Sequence, residues 1–485
     1  MRKVIDHQLK IGEVDISAIQ FDLRSRDDIP KLLLGLQHIY CTSELRDQVF
    51  SILREIIPEG VAIDNGRPGM HLWRIFVLGT LRLDCNWDFD RLREMANNHK
   101  KIREMLGHGL SDADYCYSLQ TLKDNLSLFT PEVLDRINQV VVSAGHQFLG
   151  KKKDEGLTGR CDSFVVETNV HYPTDINLLL DAIGKVINLV SAACWRAGIP
   201  GWRQRKHNLR KIRKLFHRAR KSYRSKTQNE SKREKKDRMI REAYLVYIDV
   251  VASFLPRANE SLTILRVQDQ ISSIKAEEIS RFIHHAERQI DQIHRRVFKG
   301  EVIAHNEKIF SVFEEHTEWI VKGKAGISQE LGLRVCILED QFGFILHHHV
   351  MEKQEDKDVA VLITLGAKQR FPNLFSCSYD KGFYTPSNRD VLVQIVTNPV
   401  LPKKGKLSLK EKEKEYSDEF IRCRRQHSAV ESAINALEHH GLDRCLDHGI
   451  IGFKRYVALA VVARNIHILG ELIQKQQKKQ LKHAA

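Results

Sequence analysis

The sequence predicts an α/β fold, in which a mixed β-sheet is flanked by helices and interrupted by a long all-helical segment. Two observations lead to this prediction. Short stretches that alternate apolar and polar residues, as half-buried strands do, are spread along the chain. The stretches between them repeat their apolar residues at helical spacing. With 485 residues, of which 42% are hydrophobic, the chain can bury at least one full core and form two or three domains.

Residues 1–150 are predicted to form a helical N-terminal DNA-binding domain. Apolar residues such as Leu72 and Ile75 recur there at helical spacing, and basic residues such as Arg74 accompany them. Short helices with such side chains suit a helix-turn-helix reader of DNA, although an ordinary helical packing domain explains the pattern almost as well. The alternation at residues 14–21 predicts a strand or an arm.

The sheet is expected to come from two separated parts of the chain, residues 158–200 and 315–475, and residues 201–300 are predicted to be a basic helical insertion. Residues 403–415 are predicted to be a loop or linker. The predicted strands cover about 158–168, 333–338, 344–350, 374–379 and 391–397, and the predicted helices cover about 176–195, 277–296, 417–439 and 453–474, with one more helix beginning near 386.

The positive charge of the chain is concentrated in one stretch. The formal net charge is +15 and the sequence pI is near 9.3. Residues 203–241 alone contain eighteen Lys and Arg against three acids, and their apolar spacing predicts an amphipathic helix with a cationic face. Such a face is either simply solvated or neutralises phosphates, and the scarcity of acids favours the second. The candidate DNA-binding residues are Arg203, Arg205, Lys206, Arg210, Lys211, Arg213, Lys214 and Arg218.

Other features narrow the class of protein. Nine cysteines are scattered without a C-x-x-C pair, which indicates a reducing compartment and argues against structural zinc. Neighbouring residues of a strand point to opposite faces, so His347, His348 and His349 are not expected to bind one ion together. The N-terminus lacks the apolar core of a signal peptide, and no stretch of eighteen uncharged apolar residues occurs. We therefore expect a soluble, cytoplasmic protein.

Three acidic residues that are far apart in the chain are candidate metal ligands. Asp162 lies on the first predicted strand, Asp380 ends a later strand, and Glu431 lies on a helix after the sheet. Taken alone, Asp162 is more simply explained as a structural carboxylate with a basic partner or a cap. The order of the three elements, however, is the one that lets distant carboxylates meet at one edge of an RNase H-like fold. Oxygen ligands of this kind suit Mg²⁺.

Six segments of the chain resemble the DDE transposases of bacterial insertion sequences, specifically the ISNCY group. The first five begin at Gly66-Arg-Pro-Gly-Met, Asp162-Ser-Phe-Val-Val-Glu, His316-Thr-Glu-Trp, Asp380-Lys-Gly-Phe-Tyr and His427-Ser-Ala-Val-Glu. The sixth begins at Gly452-Phe-Lys-Arg-Tyr. The six segments extend over most of the chain, and six matches in the right order are far more specific than any single acidic residue.

The resemblance implies an RNase H-like catalytic core in which Asp162, Asp380 and Glu431 are the catalytic acids. It implies two Mg²⁺ ions per active site, which Mn²⁺ can replace, with Asp162 between them. The implied activity is hydrolytic cleavage of DNA at the ends of an insertion sequence, followed by attack of the released 3'-hydroxyl on target DNA. The implied partners are the terminal inverted repeats, the target DNA and a second copy of the chain, in the bacterial cytoplasm near the nucleoid and without a membrane.

The match departs from better-known relatives in two ways. The large insertion precedes the second acid, whereas those relatives have theirs before the Glu. A Tyr-Arg-Glu-Lys signature of some cousins is also missing, since Arg424, His427 and Glu438 stand where Tyr, Arg and Lys would. His427, which shares a helix face with Glu431, and Lys381 are candidate supporting residues. Two other functions stay open, namely a catalytically inactive DNA-binding regulator derived from a transposase and a stand-alone RNase H-like nuclease.

Overall fold

A computed structural model of the chain describes residues 3–5, 12–57, 60, 69–109, 112, 114–152, 155–224, 230–321 and 329–484. The chain divides into two compact units. The first, which we call the sheet unit, consists of Met1–Asn169 and Glu318–Ala485, and the second, the helical unit, consists of Val170–Thr317. The chain therefore leaves the sheet unit after one strand and returns to complete it.

The strands of the sheet unit are β1 (Leu157–Thr168), β2 (Glu318–Val321), β3 (Gln329–Glu339), β4 (Ile345–Met351), β5 (Leu374–Tyr379), β6 (Asn398–Val400) and β7 (Arg444–Cys445). Its helices before β1 are α1 (Asp28–Cys41), α2 (Ser43–Leu53), α3 (Leu72–Asp84), α4 (Phe89–Asn98), α5 (Lys100–Met105), α6 (Leu119–Leu126) and α7 (Pro131–Phe148). The helices of the helical unit are α8 (Asp175–Arg196), α9 (Arg205–Arg224), α10 (Glu230–Ala252), α11 (Phe254–Val267) and α12 (Ser273–Ile293). The sheet unit continues with α13 (Asp356–Arg370), α14 (Pro386–Ile395), α15 (Leu409–Glu415), α16 (Asp418–His427), α17 (Ala429–Leu437) and α18 (Gly449–Ala484).

The strand β1 is the centre of a mixed sheet. On one side β1 pairs antiparallel with β3, and β3 pairs antiparallel with both β2 and β4. On the other side β1 pairs parallel with β5 near its start and with β7 near its end, and β5 pairs parallel with β6. A parallel neighbour needs a crossover connection, and the chain between β1 and β5 supplies it with the helical unit, β2 to β4 and α13.

Helices cover both faces of the sheet. Phe164 and Val166 of β1 belong to a buried cluster that also contains residues of α17, α18 and the helices before β1. Cys161 of the same strand belongs to a second cluster, which includes Val359 and Ile363 of α13. Because successive strand residues point to opposite faces, this alternation shows that α13 lies on one face and α17 on the other. The predicted α/β class with a mixed sheet flanked by helices is confirmed.

Residues 1–150 were expected to form a domain of their own. Instead, the helices before β1 belong to the same compact unit as the sheet. The reason is α18, the long apolar helix that packs directly against α1. A Cβ atom added to Gly470 would lie 1.8 Å from the carbonyl oxygen of Lys31, and one added to Gly35 would lie 2.3 Å from that of Ile466. The two helix backbones therefore touch, and the first and last parts of the chain share one core.

The helical unit begins at Val170, earlier than the predicted insertion boundary at 201. Its first helix, α8, buries an apolar stripe that includes Ile183 and Val190 in the same cluster as residues of α9 to α12. The helix α8 was expected to belong to the sheet core. Its buried stripe instead makes it part of the helical unit.

Two helices, α8 and α18, are long and apolar enough to cross a membrane by length and composition alone. Within the most apolar window of each helix, 50% of α8 and 83% of α18 is buried inside the structure. Burial in a protein core accounts for the apolar character of α18 in particular.

Three of the five predicted strands are confirmed within one residue at each end, and β3 begins four residues before its prediction. Residues 391–397 were expected to form a strand, but α14 covers most of them and the strand β6 begins at Asn398. The helix predicted at 417–439 is divided into α16 and α17, and the helix predicted at 453–474 is the longer α18. The predicted loop at 403–415 contains α15, and residues 14–21, expected to form a strand or an arm, contain a short 3-10 turn and no strand. Residues 66–68 and 322–324, which carry part of the resemblance, lie outside the described residues.

Candidate active site

The parallel strands β1 and β5 bring the first two predicted acids side by side. In their register Cys161 lies opposite Tyr379, and this is the last pair of the ladder. Asp162 and Asp380 are the next residues on the two strands. Adjacent strands are about 4.8 Å apart, so the two acids are neighbours at the end where the pairing stops.

The third acid lies on a helix that packs against β1. Phe164 and Val166, which share a strand face with Asp162, belong to the same buried cluster as Val430 of α17. Glu431 follows Val430 in the first turn of α17, and its side chain is exposed. The packing of α17 therefore brings Glu431 to the side of the sheet on which Asp162 lies.

His427, at the end of α16, is the residue that contacts the second acid. Its Nε2 atom is 3.5 Å from Oδ1 of Asp380, and its Nδ1 atom is 3.0 Å from Oγ of Ser378. The residue is 8% exposed, and Nε2 is shielded from solvent and has no hydrogen-bond partner. The spacing in the sequence suggested that His427 works with Glu431, whereas the structure joins it to Asp380 and to β5.

The carboxyl of Asp162 lies in a largely buried environment with other acids nearby. Burial is the main cause that raises the pKa of the Asp162 carboxyl to about 6. A backbone hydrogen bond from Ser163 and the nearby His427 lower that pKa, while the charges of Asp380 and Asp356 raise it. Negative charge at Asp162 is thus only partly compensated by the protein, which is the electrostatic condition that favours a bound cation.

The nearest basic residue on the same face of β1 does not neutralise Asp162. Nε of Arg160 is 3.0 Å from Oε1 of Glu339 on β3, without the alignment of a hydrogen bond, and the same guanidinium donates to the backbone oxygen of Asp340. Glu339 is 2% exposed, and burial raises its pKa to about 7 although Arg160 lowers it. The alternative explanation of Asp162, a structural carboxylate held by a basic partner, therefore has no support from Arg160.

Asp356 is a neighbour of the site that the sequence analysis missed. It opens α13, and its Oδ1 accepts a 2.6 Å hydrogen bond from Oγ of Ser163. A Cβ atom at Gly382 would lie 3.0 Å from Oδ2 of Asp356, so a glycine lets the turn after Asp380 approach α13 closely. An acid at the start of an apolar-periodic segment that follows a strand was the available signal, but α13 itself was not predicted.

Lys381 opens a 3-10 turn, Lys381–Phe383, directly after Asp380. Its side chain is exposed. A cationic side chain at this position lies next to the second acid and is accessible to a phosphate from solvent, so Lys381 stays a candidate supporting residue.

A second grouping of Asp and His lies elsewhere in the sheet unit. Among the described residues, Asp84, His440 and His467 are the one group of three potential ligands whose ligand atoms all lie within 4.8 Å of one another. The three predicted acids do not form such a group, and two ions roughly 4 Å apart would spread their ligands more widely than that. This buried grouping was not predicted, because its members come from three distant segments.

The buried grouping is charge-compensated without an ion. Asp84 is 1% exposed, and its Oδ2 is 2.9 Å from Nδ1 of His467. Burial alone would lower the pKa of His467, but the Asp84 carboxylate outweighs it and raises the pKa to about 9. Nδ1 of His440 hydrogen-bonds to the backbone oxygen of Asp84. An imidazolium and a carboxylate thus neutralise each other, as buried charges must.

The helix α9 carries seven of the eight predicted DNA-binding residues, and Arg203 lies just before it. Its apolar residues Ile212 and Phe216 are buried within the helical unit, and no acidic residue occurs within its bounds, Arg205–Arg224. Of the eight candidates Arg205 is half-buried and the other seven are exposed. The described ion pairs include none of these eight residues. The helix therefore presents a cationic face to solvent, as the sequence predicted.

Comparison with known proteins adds no relative to this description, since no family model, no curated protein and no solved structure matches the chain. The functional conclusion therefore rests on the residues and their geometry.

Proposed function

We propose that the protein is a DDE transposase, which cleaves DNA at the ends of an insertion sequence and joins the released 3'-hydroxyl to target DNA. The observation that carries the proposal is the register of β1 and β5, which sets Asp162 and Asp380 next to each other at one end of the sheet. Glu431, in the first turn of α17, is the third acid that we assign to the same site.

The arrangement of these elements also supports an RNase H-like core. An Asp on the first strand, an Asp at the end of a parallel neighbour and a Glu on a later helix is the order expected for that fold. The six sequence segments that resemble the transposases occur in the same order, and three of them contain the three acids.

The donor set of the site fits hard divalent cations. Asp162, Asp380 and Glu431 offer carboxylate oxygens, the ligands that Mg²⁺ prefers, and Asp162 carries negative charge that the protein compensates only in part. When bound, two such ions would activate the attacking oxygen and stabilise the leaving oxygen of a phosphodiester. We infer that the cofactor is a pair of Mg²⁺ ions per active site, for which Mn²⁺ substitutes.

The chain's own residues then hold and orient the reactants. The three acids would hold the ions, and no serine or tyrosine nucleophile is needed because water and the DNA 3'-hydroxyl would be the attacking groups. Lys381 is exposed beside Asp380 and can contact the phosphate backbone. His427, whose Nε2 is 3.5 Å from Oδ1 of Asp380, would help to hold that carboxylate in place.

The partner of this site is DNA, and the cationic face of α9 supports that assignment. Exposed Lys and Arg without acidic neighbours neutralise backbone phosphates irrespective of base sequence. The DNA molecules are the terminal inverted repeats and the target. Because transposition brings two ends together, we infer a homodimer on DNA in the bacterial cytoplasm.

The proposal is tested with the purified full-length chain, its flanking element ends and Mg²⁺ or Mn²⁺. We expect the wild type to join 3'-hydroxyl ends to a plasmid. Asp162→Ala should lower that activity by roughly a hundredfold to a thousandfold, because metal stabilisation of the transition state contributes several kcal/mol and each 1.36 kcal/mol is tenfold in rate. Asp47→Ala, which removes an exposed acid from α2, is the control and should leave the activity unchanged.

The outcomes separate the three candidate functions. Joining supports the transposase, cutting without joining supports a stand-alone nuclease, and binding without either supports an inactive regulator. If Asp162→Ala is as active as the wild type, the assignment of the site is wrong.

A further inference from the structure

His427 is buried at the site with one ring nitrogen that has a partner and one that has none. Nδ1 lies 3.0 Å from Oγ of Ser378, and Nε2 is buried with no hydrogen-bond partner, 3.5 Å from Oδ1 of Asp380. A buried polar atom without a partner costs free energy, about 1 to 3 kcal/mol, and calls for an explanation.

Ser378 has one hydroxyl hydrogen, and its Oγ lies 3.4 Å from the backbone oxygen of Gly159 and 3.0 Å from Nδ1 of His427. When that hydrogen goes to Gly159, Oγ accepts from Nδ1–H of His427, and Nε2 has a lone pair 3.5 Å from Oδ1 of Asp380. A histidine that ligates a cation through Nε2 takes this tautomer.

This is the arrangement of a histidine that ligates a metal ion. Such a histidine donates its other ring N–H to a nearby acceptor, which fixes the tautomer and the orientation of the ring. Two donor atoms that share one small divalent cation at about 2.1 Å lie roughly 3 to 4 Å apart. The 3.5 Å between Nε2 of His427 and Oδ1 of Asp380 falls within that range.

We propose that His427 is a ligand of the cation that Asp380 holds, so that this position takes one nitrogen donor and binds Mn²⁺ in preference to Mg²⁺. An imidazole nitrogen suits transition-metal ions, whereas Mg²⁺ favours oxygen donors and keeps its waters. Ser378 is the positioning residue that fixes the ring. The inference deepens the proposed function and rests on the same metal site, because it names the ion and a fourth protein ligand.

The test uses the full-length chain without DNA. Binding of Mn²⁺ is measured by electron paramagnetic resonance, in competition with Mg²⁺, and nitrogen coordination is detected as ¹⁴N modulation of the electron spin echo. The variants are His427→Gln, which retains a polar side chain of similar reach, and Ser378→Ala, which removes the acceptor of Nδ1–H. The control is His349→Gln, since His349 on β4 is half-buried and bonded to Gln354 away from the acids.

In the wild type we expect ¹⁴N modulation and tighter binding of Mn²⁺ than of Mg²⁺. His427→Gln should abolish the modulation and weaken Mn²⁺ binding at least about tenfold with a smaller loss for Mg²⁺, and Ser378→Ala should weaken Mn²⁺ binding about tenfold, the usual cost of losing an outer-shell partner. His349→Gln should behave as the wild type.

Two results would overturn the inference. One is the absence of ¹⁴N modulation in wild type that binds Mn²⁺. The other is an equal loss of Mn²⁺ and Mg²⁺ affinity in His427→Gln, which would make the histidine a positioning residue for Asp380 only. The proposed function can fail independently, since a chain that shows nitrogen-bound Mn²⁺ but never cleaves DNA would retain this inference and lose the transposase assignment.

Discussion

Two groupings of Asp and His in the sheet unit differ in how deeply they are buried and in how close the carboxylate lies to the imidazole. In the buried grouping, Asp84 is 1% exposed and lies 2.9 Å from the imidazole of His467. In the candidate site, the Asp380 side chain is 69% exposed and lies 3.5 Å from an imidazole nitrogen that has no hydrogen-bond partner. The same residue types thus form a buried, close ion pair in one region and an exposed, more widely spaced pair in the other.

The difference separates a grouping that stabilises the fold from the one that we propose is functional. Each charge in the buried grouping has an opposite charge at hydrogen-bond distance, so it ties α3, α18 and the turn that contains His440 together. At the candidate site burial raises the pKa of Asp162, and the neighbouring Asp380 adds to the effect. The charged form of Asp162 therefore lowers the stability of the fold, as groups that are arranged for chemistry commonly do.

The largest expected effect is a loss of stability when the charge of Asp84 is removed. We expect Asp84→Asn to lower the free energy of unfolding by about 3 to 5 kcal/mol, because it leaves the imidazolium of His467 buried without its counter-charge. Urea unfolding measures the change. The control is Asp47→Asn at an exposed acid, which should change it by less than about 0.5 kcal/mol. An equally small change for Asp84→Asn would show that the grouping does not stabilise the fold.

The pH dependence of stability should follow the same ion pair. His467 has its pKa raised from the ordinary 6.5 to about 9, so its contribution is fully present below pH 6.5 and is lost as the pH rises through 9. The loss amounts to about 3 kcal/mol at most. Urea unfolding at pH 6.5 and at pH 9.5 should show this decline in the wild type and a smaller decline in His467→Gln. Identical declines in the two proteins would contradict the assignment.

At the candidate site, removal of an acidic charge is expected to increase the free energy of unfolding. The pKa of Asp162 is raised from 3.8 to about 6, so its charged form is unfavourable in the folded state at neutral pH. Asp162→Asn should therefore raise the free energy of unfolding by roughly 1 to 3 kcal/mol in EDTA, while it abolishes activity. The same urea assay tests this, and a destabilised variant would mean that Asp162 is a structural carboxylate.

The smallest expected effect is on the salt dependence of DNA binding by α9. Replacement of Arg210 and Lys214 by Gln should reduce the slope of log binding constant against log salt concentration by about 1.8 for duplex DNA, or about 0.9 for each lost phosphate contact. Fluorescence anisotropy at several salt concentrations measures the slope. Lys479→Gln with Lys482→Gln, which removes the same charge from the end of α18, is the matched control and should leave the slope unchanged.

Much of the local structure could be predicted from the sequence because it depends on local patterns. The strand ending in Asp380 has the predicted bounds, and α8 begins and ends within one residue of its prediction. The strand expected at 391–397 failed because a Pro and a Thr cap started a helix through it, and helical capping overrode the β-branched residues.

The parts of the site that could not be predicted depend on tertiary packing. The order of the elements predicted that Asp162 and Asp380 meet, but the register that sets them side by side is a property of two strands separated by more than two hundred residues. The packing of α16 on β5 likewise makes Ser378 the partner of His427. The spacing of His427 from Glu431 in the sequence had suggested Glu431 as its partner. The pairing of Asp84 with His467 carries no local signal at all, since the two residues lie on buried helices far apart in the chain.

The central claim is that the acids on β1, β5 and α17 hold divalent cations, and that the buried grouping does not. An anomalous difference map of crystals soaked in Mn²⁺ tests it most directly. We predict two peaks roughly 4 Å apart, between Asp162, Asp380 and Glu431, with the peak at Asp380 also in contact with His427. A map without peaks there, or with its only peak between Asp84, His440 and His467, would contradict the account.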